Sequence, residues 1–136
     1  MLGDSLNSLS QLYQSDIPDY WTYAQHFVLG NHMFSSLMGP SFPNHLYTIA
    51  AQSGGAVDNP SKGTVQGSNG WGCDIPTQTV KVETSNGSIS TQEACFNFET
   101  LADELDARHY NWRYYAPPAG QSGYIWSSFN AMRLTI

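Results

Sequence analysis

The stretch GPSFPNHLY, residues 39 to 47, sets a hydroxyl, a carboxamide and an imidazole within little more than one helical turn, at Ser41, Asn44 and His45. Two roles suit Ser41. A serine beside a helix start accepts a backbone N–H and caps the helix. The same place lies beneath the positive end of the helix dipole, where backbone N–H groups favour an anion such as phosphate and lower the cost of ionising a serine hydroxyl. A nucleophilic Ser41 also needs a base or a metal ion to activate it. His45, one turn on, suits hydrogen bonding to a phosphate oxygen or protonation of a leaving group near neutral pH. In a structural role it is a helix-surface or interface histidine. Asn44 suits donation to a phosphate oxygen from the first turn, or is simply a neutral helix residue.

The elements that must hold these side chains follow from pattern. HFVLGNHMF, just before them, carries apolar residues on both faces of an alternating run, which predicts a buried strand. In PNHLYTIAAQ, Pro43 stands just inside the start and Gly54 and Gly55 stand past the end, the asymmetry of a helix. With a strand running into Gly39 and Pro40, Ser41 falls at the C-terminal edge of a sheet, where open α/β sheets form ligand crevices.

Further out, Leu6, Leu9 and Leu12 behind Asp4 predict a short helix, and Pro18 opens another in IPDYWTYAQ. Ser53 to Asn69 is a run of Gly, Ser, Asn and Pro of a length that is often functional. TVKVET and SISTQEA flank SNG, the signature of a β-hairpin. FNFETLADELDAR predicts a helix with Phe98, Leu101, Ala102 and Leu105 on one face and Thr100 or Asn97 as its cap. NWRYYA predicts a strand ended by Pro117 and Pro118, and SGYIWSSFNAMRLTI resumes a helical pattern. This order of elements indicates an α/β domain with a partly parallel sheet, and 136 residues is the size of one domain.

Composition excludes some partners. A net charge of -6 with five Lys plus Arg leaves no electrostatic footprint for a nucleic acid or an anionic membrane. No stretch approaches the roughly 18 apolar residues of a transmembrane segment, and the first residues lack the zones of a signal peptide. Cys73 and Cys95 bracket the hairpin; a metal site would need about four ligands at short spacing, so the spacing favours a disulfide, a bond of oxidising compartments. Of the remaining histidines, His26 and His32 share a face of the expected strand, and His109 follows Arg108 at a helix end, where a cation complements the dipole. Asp74 suits a turn. Trp112, Tyr114, Tyr115, Tyr124 and Trp126 suit core packing or, less often, a quaternary ammonium group. Lys62, Lys81, Arg108, Arg113 and Arg133 are scattered and form no recognisable phosphate clamp.

YAQHFVLGNHMFSSLMGPSFPNHLYTIAAQSGG resembles the segment around the nucleophile in the bacterial phosphoesterase family that contains phosphatidylcholine-type phospholipases C and an acid phosphatase. WGCDIP, CFNFETLADELDARHYNWRYYAPP and GYIWSSFNAMR resemble the same family in the same order, so the likeness covers nearly the whole chain from about Ile17. That family belongs to the alkaline phosphatase-like superfamily, in which nucleotide pyrophosphatases have a similar Thr-Phe-Pro-Asn stretch with threonine as nucleophile. Ser41 matches that position.

The resemblance implies a partial alkaline phosphatase-like three-layer α/β sandwich with an inserted β-hairpin. It implies hydrolysis of a phosphate ester or phospholipid through a phosphoseryl intermediate on Ser41, with Asn44 and His45 beside the substrate. It also implies a divalent metal cofactor with Ser41 among its ligands, and a secreted or periplasmic parent protein. The family's other ligands come largely from a Glu-Asn pair on an N-terminal strand and an Asp-Asp pair near the C-terminal end. Neither pair can be placed here, so residues 1–136 are expected to be one incomplete domain, inactive alone and open to self-association through uncovered edges. A different class of function is a non-catalytic secreted α/β binding module in which Ser41 is a helix cap.

Overall fold

The computed structural model describes residues 10–61, 71–121, 123–124 and 127–133. The chain divides into two compact units, Met1–Phe34 and Ser35–Ile136.

The first unit is built around helix α1, Pro18–His26, with proline in its first turn, Asp19 near its start and His26 at its end, the polarity that suits a helix dipole. None of its residues is buried. The strand expected over HFVLGNHMF does not form: the chain turns at Gly30, where the Asn31 N–H donates to the Leu29 carbonyl at 3.0 Å, and Val28 is 95% exposed. Apolar residues on both faces stabilise a strand only when neighbours pair with it and cover it, and no ladder reaches this segment among the described residues. Leu6 and Leu9 of the expected leucine helix lie outside the described residues, and residues 10–13 are not helical.

The second unit contains α2 (Ser41–Ala50), β1 (Thr79–Glu83), β2 (Ile89–Glu93) and α3 (Leu101–Ala107), with single 3-10 turns at Gly72–Asp74 and Ser128–Ala131. In α2, Phe42, Leu46 and Ile49 recur at four and three residues and so share one face, which is buried. The helix stops at Ala51, which takes the left-handed conformation. The hairpin forms as expected, antiparallel from Thr79↔Glu93 to Glu83↔Ile89, with Val80 and Val82 inward. Val80, Val82, Ala94 and Phe96 join Phe42, Leu46, Ile49, Ala56, Trp71, Ala131 and Met132 in one core. Full burial of Phe42 alone is worth about 2–3 kcal/mol.

The other edge of β1 is covered by part of the long polar run. Val57 N–H donates to the Lys81 carbonyl at 3.0 Å, Ser61 N–H to Thr79 at 2.8 Å, and Glu83 N–H to Gly55 at 2.8 Å. Gly55 has φ of 80°, and a Cβ there would lie 2.7 Å from the Glu83 carbonyl oxygen, so the close approach requires glycine. The rest of that run, including Lys62, lies outside the described residues.

Cys73 and Cys95 are joined by a disulfide at the base of the hairpin, 22 residues apart. In the chain-entropy account such a loop closure contributes about 3 kcal/mol. α3 begins at a capping box: the Thr100 N–H and hydroxyl donate to Asp103 Oδ2 at 2.7 and 2.6 Å. These two bonds, the hydroxyl's first, hold the Asp103 carboxyl below its ordinary 3.8.

NWRYYA forms no strand. Its aromatics pack instead: Trp112 stacks on Phe129 at 6.1 Å and donates to Asp106 Oδ1, while Tyr114 meets Phe129 edge-on at 4.7 Å. The helical pattern of the tail becomes the 3-10 turn, and the chain then pairs with Phe96, whose N–H donates to Ala131 and whose carbonyl accepts from Arg133 N–H. Trp126 and residues 134–136 lie outside the described residues. The described residues thus combine helices with one two-stranded antiparallel sheet, a small α/β arrangement.

Candidate functional site

Ser41 is the first residue of α2 and is exposed. The cap position belongs to Pro40, and among the described residues no hydrogen bond reaches the Ser41 hydroxyl. The orphan N–H groups of the first turn are reduced by sequence: Pro43 has none, and Phe42 N–H donates to Asn59 Oδ1 at 2.9 Å. Asn59 is therefore the side chain that caps this helix, from 17 residues away.

Asn59 is held for that task. Its own N–H donates to Asp58 Oδ1 at 2.8 Å, and Asp58 Oδ2 accepts from Lys81 Nζ at 3.1 Å. The Lys81 hydrogen bond, followed by the Asn59 N–H, holds the Asp58 carboxyl below its ordinary 3.8. β1 thus positions the cap of α2 through the segment laid along its edge.

Asn44 turns back onto the chain that enters the helix. Its Oδ1 accepts from Leu37 N–H at 3.1 Å, and its Nδ2 lies 3.1, 3.1 and 3.0 Å from the carbonyls of Leu37, Gly39 and Pro40. The amide is spent on the backbone leading to Ser41, so its effect on a bound group passes through the position of that backbone. His45, half-buried and one turn after Ser41, meets Trp71 edge-on with ring centroids 5.4 Å apart. Trp71 also meets Phe42 edge-on at 5.0 Å and donates from Nε1 to the Ser127 carbonyl at 2.9 Å, so it braces both residues that flank the Ser41 turn. Its position is fixed by its neighbour Gly72, where a Cβ would come within 2.6 Å of the Asn130 carbonyl oxygen.

Other candidates fall elsewhere. His26 ends α1, and His32 lies in the turn after it, with Nδ1 2.9 Å from Asn31 Oδ1; both are in the first unit. His109 sits past the end of α3 with φ of 58°. Asp74 accepts from the Tyr124 hydroxyl at 2.7 Å; this bond to a carboxylate, followed by burial, raises the Tyr124 phenol above its ordinary 10.0. Clefts of about 270 and 320 Å³ in the second unit border the C-terminal half of α2, and Ser41 lines neither. The hydroxyl stands on open surface. Among the described residues no three His, Cys, Asp or Glu side chains gather closely enough to hold a metal ion.

Sequence reasoning named Ser41, Asn44 and His45 but missed Asn59 and Trp71. The signal for Asn59 was Asp-Asn-Pro: proline keeps the residue before it extended, and asparagine is a strong capping residue. No local signal marks Trp71, because its partners are remote in the chain.

A family model described as the Phosphoesterase family matches residues 3–133. No curated protein and no solved structure matches the chain.

Proposed function

The chain belongs to the Phosphoesterase family, and from that premise we propose that Ser41 is the nucleophile of a hydrolase acting on phosphate esters. Phosphoesterase-type function is what membership itself supports; the assignment of residues goes further. The observation that carries it is the exposed Ser41 hydroxyl, without a partner among the described residues, on the first residue of a ten-residue helix. In this reading the Ser41 hydroxyl gives its proton to solvent as its oxygen bonds to phosphorus and the bond to the leaving oxygen breaks; water then cleaves the phosphoseryl ester, releasing phosphate or a phosphorylated head group and returning a proton to Ser41. The positive end of α2 favours the charge on the transferring group. His45 delivers a proton to the leaving oxygen, and Asn44 and Asn59 hold the turn that presents Ser41.

The family resemblance adds a divalent metal ion with Ser41 as one ligand. The described residues do not assemble the rest of such a set. The same resemblance supports an alkaline phosphatase-like three-layer sandwich for the parent, and a choice between phospholipase C and acid phosphatase that rests on pocket walls. The disulfide, and the lack of any described helix long and apolar enough to cross a membrane, are compatible with a secreted or periplasmic location.

Hydrolysis of a nitrophenyl phosphate ester by the parent protein, with and without Ser41→Ala, tests the assignment. Wild-type activity lost by about a thousandfold or more in the variant, with the circular dichroism spectrum retained, supports it; equal activity overturns it. The 136-residue chain alone is expected to be nearly inactive, and strong Ser41-dependent release from it would refute that expectation.

A further inference from the structure

Ser53, just past α2, lines the cleft of about 320 Å³ in the second unit, and only 5% of the residue is exposed. Among the described residues its hydroxyl meets no hydrogen-bond partner. A hydroxyl buried to this degree is ordinarily paired, and leaving it unpaired costs stability. No side-chain oxygen is sealed in without a partner among the described residues, so Ser53 Oγ touches the cleft that it lines. The backbone beside it is also unspent. The Ala56 N–H donates to the Ser53 carbonyl at 3.1 Å and closes a turn through Gly54 and Gly55, at φ of 62° and 80°. The N–H groups of Gly54 and Gly55, both on the cleft, find no acceptor among the described residues. A Cβ on Gly54 would lie 2.7 Å from the rings of Phe96 and Phe98, so the core holds this turn in place.

The rest of the lining narrows the ligand. Exposed Glu83 carries the charge of the cleft, and no Lys, Arg or His stands among its described lining residues. An anion is therefore disfavoured, and a simple cation would leave the N–H groups unanswered. A ligand rich in hydroxyls meets both demands, since each hydroxyl donates to the carboxylate or accepts from an N–H without bringing a charge. The rim adds the Gln52 amide and the Ser85 hydroxyl, and half-buried Tyr47 and Leu37 give an apolar wall suited to the C–H face of a sugar ring. Few placed polar groups against such a wall is the usual make-up of a small-molecule site.

We propose that this cleft is a saccharide-binding site that takes one neutral sugar ring. Ser53 Oγ and the Gly54 and Gly55 N–H groups meet the sugar oxygens, and the Glu83 carboxylate accepts from its hydroxyls. Ser41 does not line the cleft. The proposal goes beyond the reading of Ser41 and uses none of its chemistry, so either can fail without the other.

Titration of the isotope-labelled chain with glucose, galactose and mannose, followed through its amide chemical shifts, provides the test. At least one of these hexoses is expected to shift the Ser53, Gly54 and Gly55 amides to saturation. Ser53→Ala is expected to weaken that binding by about tenfold. The same change should leave stability to urea unreduced, because the hydroxyl it removes has no partner in the chain. Glu83→Gln, at an exposed position, serves as a second variant and should also weaken binding by about tenfold. Binding of none of the hexoses, which leaves the cleft to water, or unimpaired binding by either variant overturns the proposal. Glycine or inorganic phosphate shifting the same amides at a lower concentration than any hexose also overturns it, in favour of a zwitterionic or anionic ligand.

Discussion

Helices α1 and α2 are nine and ten residues long and each has a proline in its first turn, yet α1 buries nothing while α2 buries Phe42, Pro43, Leu46 and Ile49. Their apolar content does not explain this, since α1 carries Tyr20, Trp21 and Tyr23. The difference lies in what each face meets. α2 finds the valines of β1 and the rings of Trp71 and Phe96, all within a unit closed by the disulfide. α1 has a turn on either side, and among the described residues of its own unit only Leu12 and Leu29 border its stripe. Local signals start a helix; distant segments decide whether it becomes part of a core.

The sharpest way to break this comparison is truncation of one aromatic in each helix. Phe42→Ala should cost about 3–5 kcal/mol in urea unfolding, whereas Tyr20→Ala should stay within about 0.5 kcal/mol; equal losses would place α1 in the same cooperative unit. Next, replacement of both Cys73 and Cys95 by serine should remove about 3 kcal/mol and lower protease resistance in the second unit, with proteolysis around α1 unchanged. Asn44→Ala removes the hydrogen bonds that hold the approach to α2, at a cost of about 2 kcal/mol. The matching change Gln25→Ala, on exposed α1, should be nearly silent in the same assay. Within the second unit the smallest effect is expected at α3, where Asp103→Asn should cost about 1 kcal/mol.

That last site also has a pH signature. The folded Asp103 carboxyl lies below its ordinary 3.8, so its contribution is complete above the unfolded value and is lost as pH falls through the folded one. Melting temperature followed downward from pH 5 should therefore drop less in Asp103→Asn than in wild type, beginning near pH 3.8.

The hairpin, α2 and α3 were legible because each rests on near neighbours: a turn signal, a proline with following glycines, and Thr100 as a cap. The two strands read from HFVLGNHMF and NWRYYA were not, because alternation and aromatic content describe a side chain's need for cover without naming the cover. Trp112 and Tyr114 found Phe129 rather than a ladder. At the site, Ser41 and its neighbours could be named from one short stretch. Asp-Asn-Pro marked Asn59 as a capping residue but not the helix that it caps, and nothing marked Trp71, because each reaches the helix start only after the chain has folded back.

The bond from Phe42 N–H to Asn59 also acts as a ruler. Residues 55–61 are fastened to β1 by backbone hydrogen bonds, the Gly55 carbonyl accepting and the Val57 and Ser61 N–H groups donating, so one residue inserted between Ala56 and Asn59 would displace the cap by about 3.4 Å. That is enough to leave the helix start uncapped. The length of this stretch, more than its composition, is therefore under constraint, and a chain that gains or loses a residue here loses the support beneath its serine.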